Sequence, residues 1–381
     1  MRWQSLTLRP DGAPGLASPA ARAAPPLPLA LPDAVVRTFD SPAFAGMTFY
    51  EVRARSIINR VPDASRVPFR WTLNPYRGCT HACVYCFARR THTYLDLDPG
   101  RDFDSRIVVK VNAGELLRRE LAAPRWSGAQ LAMGTNVDCY QRAEGRYRLM
   151  PPIIEALRDF ANPFSILTKG TLILRDLPLL RQAASVTRVG LSFSVGFLDE
   201  TLWRAVEPGA PGPRRRLDAV RVLSDAGFQV GVLLAPILPG LSDSPESIDA
   251  TVAAVAAAGA VSVTPLPLHL RPGAREWYAA WLTARFPELA ARYRRLYGRG
   301  SYAPAAYQEE VTARVWAAAE RHGLPRPQVD PQGAPAPHRR GAMPDRPAAT
   351  GSRDGTPDHR GAEGRPAADP PPGTPTQLAL L

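Results

Sequence analysis

Lysine is almost missing from this chain: of 47 basic residues, all but Lys110 and Lys169 are Arg. Cysteine is scarce as well, four in 381 residues. That scarcity excludes a disulfide-stapled secreted scaffold and points to a reduced, cytoplasmic setting. No apolar run reaches the length of a membrane span, and the apolar stretch at 24–31 is interrupted by Pro25, Pro26 and Pro28. Neither a spanning helix nor a signal peptide is expected. The six His are scattered and no G-x-S-x-G occurs, so nothing announces a hydrolytic triad.

Large apolar residues also run out at both ends. Residues 1–37 are rich in Ala, Pro and Leu without helical or strand periodicity, and residues 324–381 are mostly Pro, Gly, Ala, Asp and Arg. Such segments cannot bury enough surface to offset their ordering entropy and are expected to be disordered. The expected organisation is a core over 38–270 with a small leading element, a helical extension over 271–323, and two tails. Of the net charge of +12, the tails hold little. Seven Arg face six acids from Arg326 onward, and three Arg face two acids over residues 1–35, which leaves +10 between them. A basic core favours anionic partners, nucleic acid among them, although the arginine bias of the whole chain accounts for the same excess.

Between the tails, short apolar runs alternate with helical spacing. Strands are expected at 70–74, 130–134, 164–168, 188–195, 229–235 and 260–265. Helices are expected at 112–121, 147–160, 176–184, 215–226 and 244–258, the last two closed by Gly227 and Gly259. Asn112 is the expected cap of the first. Further helices at 274–296 and 304–322 carry apolar faces, expected to close the open side of the fold. Apolar strands alternating with helices predict an α/β fold with a parallel sheet, of which a partial (β/α)6 TIM-type barrel and a doubly wound open sheet are the two forms.

Three of the four cysteines fall within eight positions, Cys79, Cys83 and Cys86, spaced C-x3-C-x2-C, and the fourth, Cys139, lies 53 residues on. An odd number cannot pair internally. Short spacers instead let three thiolates turn onto one metal centre. Three sulfurs on an iron–sulfur cube leave one iron open to a further ligand. A structural zinc completed by His81 or His92 uses the same thiols, but such sites normally pair two knuckles and no second C-x2-C exists. In parallel α/β folds ligands gather beyond the carboxyl ends of the strands. That rule selects Gly134, Thr135 and Asn136, then Lys169, then Ser194, then the loop from Pro236 to Asp243.

The cysteine spacing, with the aromatic Tyr85 before the last cysteine, resembles the signature of the radical S-adenosylmethionine (SAM) superfamily. The runs Glu207-Pro208-Gly209-Ala210-Pro211, Pro239-Gly240-Leu241 and Val137 to Glu144 are similar to the branch that contains spore photoproduct lyase and proteins labelled DNA-repair photolyases. The resemblance spans about residues 67–270. It implies a partial (β/α)6 barrel in which Cys79, Cys83 and Cys86 hold a [4Fe–4S] cluster whose fourth iron binds the amino and carboxylate groups of SAM. It implies reductive cleavage of SAM to a 5′-deoxyadenosyl radical that abstracts hydrogen from a substrate, with an electron donor such as flavodoxin or ferredoxin. Gly134-Thr135-Asn136 stands where many members read the methionine amino group through Gly-Gly-Glu, and the Glu is missing here. Lys169 and Ser194 stand where the branch contacts the SAM carboxylate and ribose. Cys139 lies near the position of a hydrogen-returning cysteine, offset by a few residues, and a buried packing thiol is the plainer reading. A nucleic acid, a small molecule and a peptide are all compatible substrates, and a non-enzymatic zinc or redox protein is the alternative class.

Overall fold

The computed structural model describes residues 31, 33–63, 65 and 67–326. Of the tails expected at 1–37 and 324–381, residues 1–30 and 327–381 lie outside the described residues. In chain order the strands are β1 Val35–Arg37, β2 Thr48–Val52, β3 Ile58–Arg60, β4 Trp71–Leu73, β5 Tyr76–Arg77, β6 Arg106–Lys110, β7 Leu131–Met133, β8 Phe164–Thr168, β9 Val189–Ser194, β10 Val230–Ile237 and β11 Ser262–Pro267. The helices are α1 Ala113–Leu121, α2 Arg142–Tyr147, α3 Met150–Asp159, α4 Leu177–Ala184, α5 Glu200–Val206, α6 Pro213–Asp225, α7 Pro245–Ala257, α8 Ala274–Arg285, α9 Ala290–Tyr297 and α10 Ala305–Arg321.

The main sheet has seven strands in the order β11-β10-β9-β8-β7-β4-β3. Every neighbouring pair from β4 to β11 is parallel, and β3 adds to the edge antiparallel to β4. Strand order thus follows chain order from β4 to β11 without reversal. A doubly wound sheet reverses direction at a switch point, so that alternative fails. Each crossover carries a helix whose apolar residues recur at helical spacing and are buried: Ile153, Ile154 and Leu157 on α3, Leu217, Val220 and Leu223 on α6, Ile248, Val252 and Val255 on α7. Fully burying one such side chain contributes about 1.5–3 kcal/mol. Gly227 and Gly259, at φ 93° and 79°, end α6 and α7 in the left-handed region that a side chain disfavours.

A second sheet, β1-β2-β6-β5, lies beside the first. It replaces the expected small leading element and begins earlier than anticipated. Val35–Arg37, assigned above to the N-terminal tail, pair with Phe49–Glu51 of β2. The expected helix over 147–160 begins earlier and breaks: Arg148, at φ 50°, separates α2 from α3. Asn112 does not cap α1 with its side chain. Its Oδ1 accepts from Ala54 N at 2.8 Å and its Nδ2 donates to Ala54 O at 2.9 Å, tying β2's exit to α1.

Part of the extension lies where expected, on the open edge of the sheet. α10 packs on α7 and β11. α8 and α9, however, share an apolar cluster with the cysteine segment: Tyr278, Leu282, Tyr293 and Tyr297 pack with Cys83, Val84 and Tyr85, and with Phe197 and Leu238 from strand-end loops. They roof the carboxyl end of the sheet. Asp243, after β10, pins this roof by accepting from Arg292 Nη2 at 2.7 Å and Tyr307 Oη at 2.9 Å, while its carbonyl accepts from Arg314 Nη1 at 2.7 Å.

Candidate active site

Beside this apolar cluster lies an open cavity of about 170 Å³. Cys79, Cys83, Tyr85 and Cys86 line one side. Gly134, Thr135 and Asn136 after β7, Lys169 after β8 and Ser194 at the end of β9 line the rest. Gly134–Asn136, Lys169, Ser194 and Pro236 therefore meet the cysteines, whereas the rest of the expected loop, Ile237 to Asp243, does not line the cavity. Cys139 is fully buried and is not among the lining residues.

The cysteine loop is held from three directions. Gln141, fully buried, accepts from Thr80 N at 2.8 Å through Oε1 and donates to Gly78 O at 3.0 Å through Nε2. Arg89, also fully buried, donates from Nε and Nη2 to Cys83 O at 3.1 and 3.0 Å, and from Nη2 to the Asp104 carboxylate at 2.8 Å. The loop after α5 closes the third side, where Gly209 N donates to His81 O and Val84 N to Val206 O, both at 3.0 Å. A Cβ on Gly209 would stand 2.0 Å from Thr80 O, so only glycine permits that approach. Gly134 has the same constraint more severely: its φ is +75° and a Cβ would lie 1.8 Å from Leu167 O.

Two polar networks shape the walls. Asp138 accepts from Tyr140 N at 2.8 Å, Thr168 Oγ1 at 2.7 Å and Lys169 N at 2.6 Å, locking the loops after β7 and β8 together, and its carboxylate lies 3.4 Å from His81 Nδ1. Burial lowers the His81 pKa to about 4, against the opposing pull of Asp138, and leaves the ring neutral. The second network centres on Glu207, completely buried. Tyr85 Oη and Arg216 Nη2 donate to its two carboxylate oxygens, and Lys169 Nζ lies 3.7 Å from Oε1. Burial alone would raise this carboxyl, but Arg216 and then Lys169 outweigh it and hold the pKa below the ordinary value. Lys169 Nζ also donates to Ser194 Oγ, which donates to Ala235 O at 2.7 Å. Among the described residues Lys169 is the one Lys or Arg that lines the cavity, and although Asp138 stands in the same wall, the Lys169 ammonium is available to an anionic ligand group. In the sequence, Asp138 and Glu207 stand only as members of runs that carry the resemblance, with no role assigned, and so does Arg216. Their role depends on contacts between residues far apart in the chain, which no local spacing reports.

The thiols themselves are pushed up by burial, Cys83 to about 12 with Glu207 adding to the effect, and Cys79 and Cys86 in the same direction. Ligation requires thiolates, so the compensating charge must come from a bound metal centre. Among the described residues no three His, Cys, Asp or Glu side chains come together as the ligands of a single ion. His92 Nε2 instead pairs with Arg106 O at 2.8 Å. Among the described residues no single-ion site completed by His81 or His92 is preformed. A cube, which spreads its ligating sulfurs over three corners, fits three cysteines along one wall with a cavity in front.

These features define a protein of the radical SAM class, and the chain belongs to that superfamily: the Radical SAM superfamily profile matches residues 73–252. Its cofactors are those of the family, a [4Fe–4S] cluster and SAM, and it is an enzyme of that family whose electrons come from a donor. An uncharacterized protein of Mycobacterium bovis is 50% identical over 281 residues, 74% of this chain and 83% of the relative. An uncharacterized protein of Methanocaldococcus jannaschii is 29% identical over 195 residues, 51% of this chain and 69% of the relative. Among solved structures, spore photoproduct lyase complexed with dinucleoside spore photoproduct aligns with a TM-score of 0.54 at 16% identity, over 72% of this chain and 79% of the other. A spore photoproduct lyase mutant with bound AdoMet and the same product aligns at 0.52 and 16%, over 68% and 76%. These two likenesses speak for the fold. No helix among the described residues is long and apolar enough to cross a membrane.

Proposed function

We propose that the protein cleaves SAM reductively and uses the resulting radical to remove hydrogen from a substrate, in the manner of spore photoproduct lyase, with nucleic acid as the substrate class. One observation carries this reading: the three cysteines, Gly134–Asn136, Lys169 and Ser194 line a single cavity at the carboxyl end of the parallel strands. We further read the open sheet from β4 to β11 as a partial (β/α)6 barrel, residues 38–270 as its core with 271–323 as an extension, and the setting as cytoplasmic.

In this reading Cys79, Cys83 and Cys86 hold the cluster. Bound there, a cluster would supply the single electron that reductive cleavage of SAM requires. The chain does the rest. Lys169 offers its ammonium to the carboxylate of SAM, with Glu207 fixing its position and Ser194 turned toward the ribose. Gly134, free of a Cβ, lets the β7 loop close on Leu167 and so fixes Thr135 and Asn136 in the cavity wall, where they would meet the amino group in place of the usual Glu. Tyr85, fixed by Glu207, forms the wall beside Cys86. α8 and α9 back the cysteine segment, and since the cavity stays open, bound substrate would complete the exclusion of water that a radical with little intrinsic selectivity requires. A flavodoxin or ferredoxin is the electron donor. Cys139 could reach a product radical only through movement of the cavity wall, so it is assigned to packing.

Anaerobic reconstitution with iron and sulfide, followed by dithionite and SAM, tests the reading. A brown protein that forms 5′-deoxyadenosine, with deuterium arriving from labelled oligonucleotide, is the expected result. A colourless protein that leaves SAM intact, or replacement of all three cysteines without loss of cleavage, rejects it.

A further inference from the structure

At the open mouth of the cavity, three rings stand in a row. Phe87 and His269 line the cavity, with ring centroids 5.5 Å apart. Tyr302 stacks on the other side of His269 at 5.6 Å and an interplanar angle of 24°. An antiparallel bridge between His269 and Tyr302, with Leu270 N donating to Ser301 O at 2.7 Å, fixes the order of the stack. Tyr302 is nevertheless 59% exposed, and Leu266, which also lines the mouth, is 40% exposed. Burial does not explain them. Beside the stack, the Arg271 guanidinium stands 5.2 Å from the Phe87 ring centroid, is exposed, and makes no ion pair among the described residues.

We propose that Tyr302, carried on His269 and Phe87, is a stacking shelf for an unpaired nucleobase, with Arg271 receiving the adjoining phosphate. The inference rests on the reading of the cavity given above and names the part of the substrate that its rim would grip. An exposed aromatic face beside an uncompensated guanidinium matches a flat ring joined to an anion, and single-stranded nucleic acid is bound in this way. A duplex cannot offer a base face to the shelf unless that base leaves its stack, so the arrangement favours an unpaired or extruded nucleotide.

The test is fluorescence anisotropy of a short labelled oligothymidylate against the reconstituted holoprotein, with SAM affinity measured in the same samples. Tyr302→Ala should weaken oligonucleotide binding about 5- to 100-fold, the loss expected for one base–aromatic stack, and Tyr302→Phe should stay within about twofold of wild type. Arg271→Gln should lower the slope of log affinity against log salt by about one. The proposal is overturned if wild type does not bind, or if Tyr302→Ala binds as wild type does. It is equally overturned if Tyr302→Ala weakens SAM instead, which would assign the stack to the cofactor's adenine. Loss of the shelf proposal leaves SAM cleavage by wild type intact, whereas absence of cleavage sinks the reading beneath it.

Discussion

Replacing Glu207 by Gln keeps the side chain's shape and removes its charge. Arg216, whose side chain is 1% exposed, and Lys169, at 13%, then share a buried wall with no counter-ion. Unit charges about 4 Å apart attract by roughly 4 kcal/mol at an effective dielectric of about 20. Measured losses from removing one member of a buried pair run to about 3–5 kcal/mol. Glu207→Gln should therefore lower the urea midpoint by about 1 M or more if the slope is about 3 kcal/mol per M. The pH dependence gives a sharper check. A carboxyl held below its ordinary value of 4.5 stabilises the fold above that value and ceases to do so as pH falls through the folded pKa. The gap between wild type and Glu207→Gln should be constant near neutrality and shrink below about pH 4.5, while the other carboxylates titrate equally in both proteins. Urea titrations followed by far-ultraviolet circular dichroism across this range supply the numbers. A gap under 1 kcal/mol, or one that is flat or widens toward acid, would refute the argument that Glu207 is the counter-ion of this wall.

Gly134→Ala forces a side chain into left-handed backbone, costing about 1–2 kcal/mol before its clash with Leu167 O is counted, so both thermal stability and SAM affinity should fall; calorimetry that finds neither contradicts the close approach. Gln141→Leu strands Thr80 N–H and Gly78 C=O, about 1–3 kcal/mol for each buried group left unpaired, and iron bound per chain should drop even with all three thiols present. Cys139→Ala should leave the product distribution unchanged and cost only the packing of a small buried side chain. A changed isotope pattern in the product would restore the hydrogen-donor role.

Much of the molecule was legible because its signals are local. The cysteine spacing needs no fold to be read, and β8 was placed residue for residue because its five residues lie between a turn proline and a lysine at the strand end. α6 and α7 carry their own stop signals in Gly227 and Gly259. What was missed depends on distance. α5 is one short turn-rich segment, Glu200–Val206, with two buried residues and little periodicity to detect. Tyr85, Lys169 and the Glu207–Arg216 pair lie far apart in sequence and become one network only when the cysteine segment, the end of β8 and the α5–α6 connection converge. The helices after residue 270 were recognised as helices, but apolar faces do not say which surface they cover, and α8 and α9 chose the cysteine segment over the sheet's edge.

That choice has a consequence in time. Cys86 leaves the ribosome about 190 residues before Tyr278, an interval of roughly 10–40 s at 5–20 residues per second. Throughout it Cys83, Val84 and Tyr85 lack the packing that α8 and α9 give them, so the growing chain offers iron delivery a looser cysteine segment than the finished protein does. Stalled nascent chains ending before Ala274 should accept a cluster faster than the completed apoprotein, and equal rates would show that the roof is no barrier to loading.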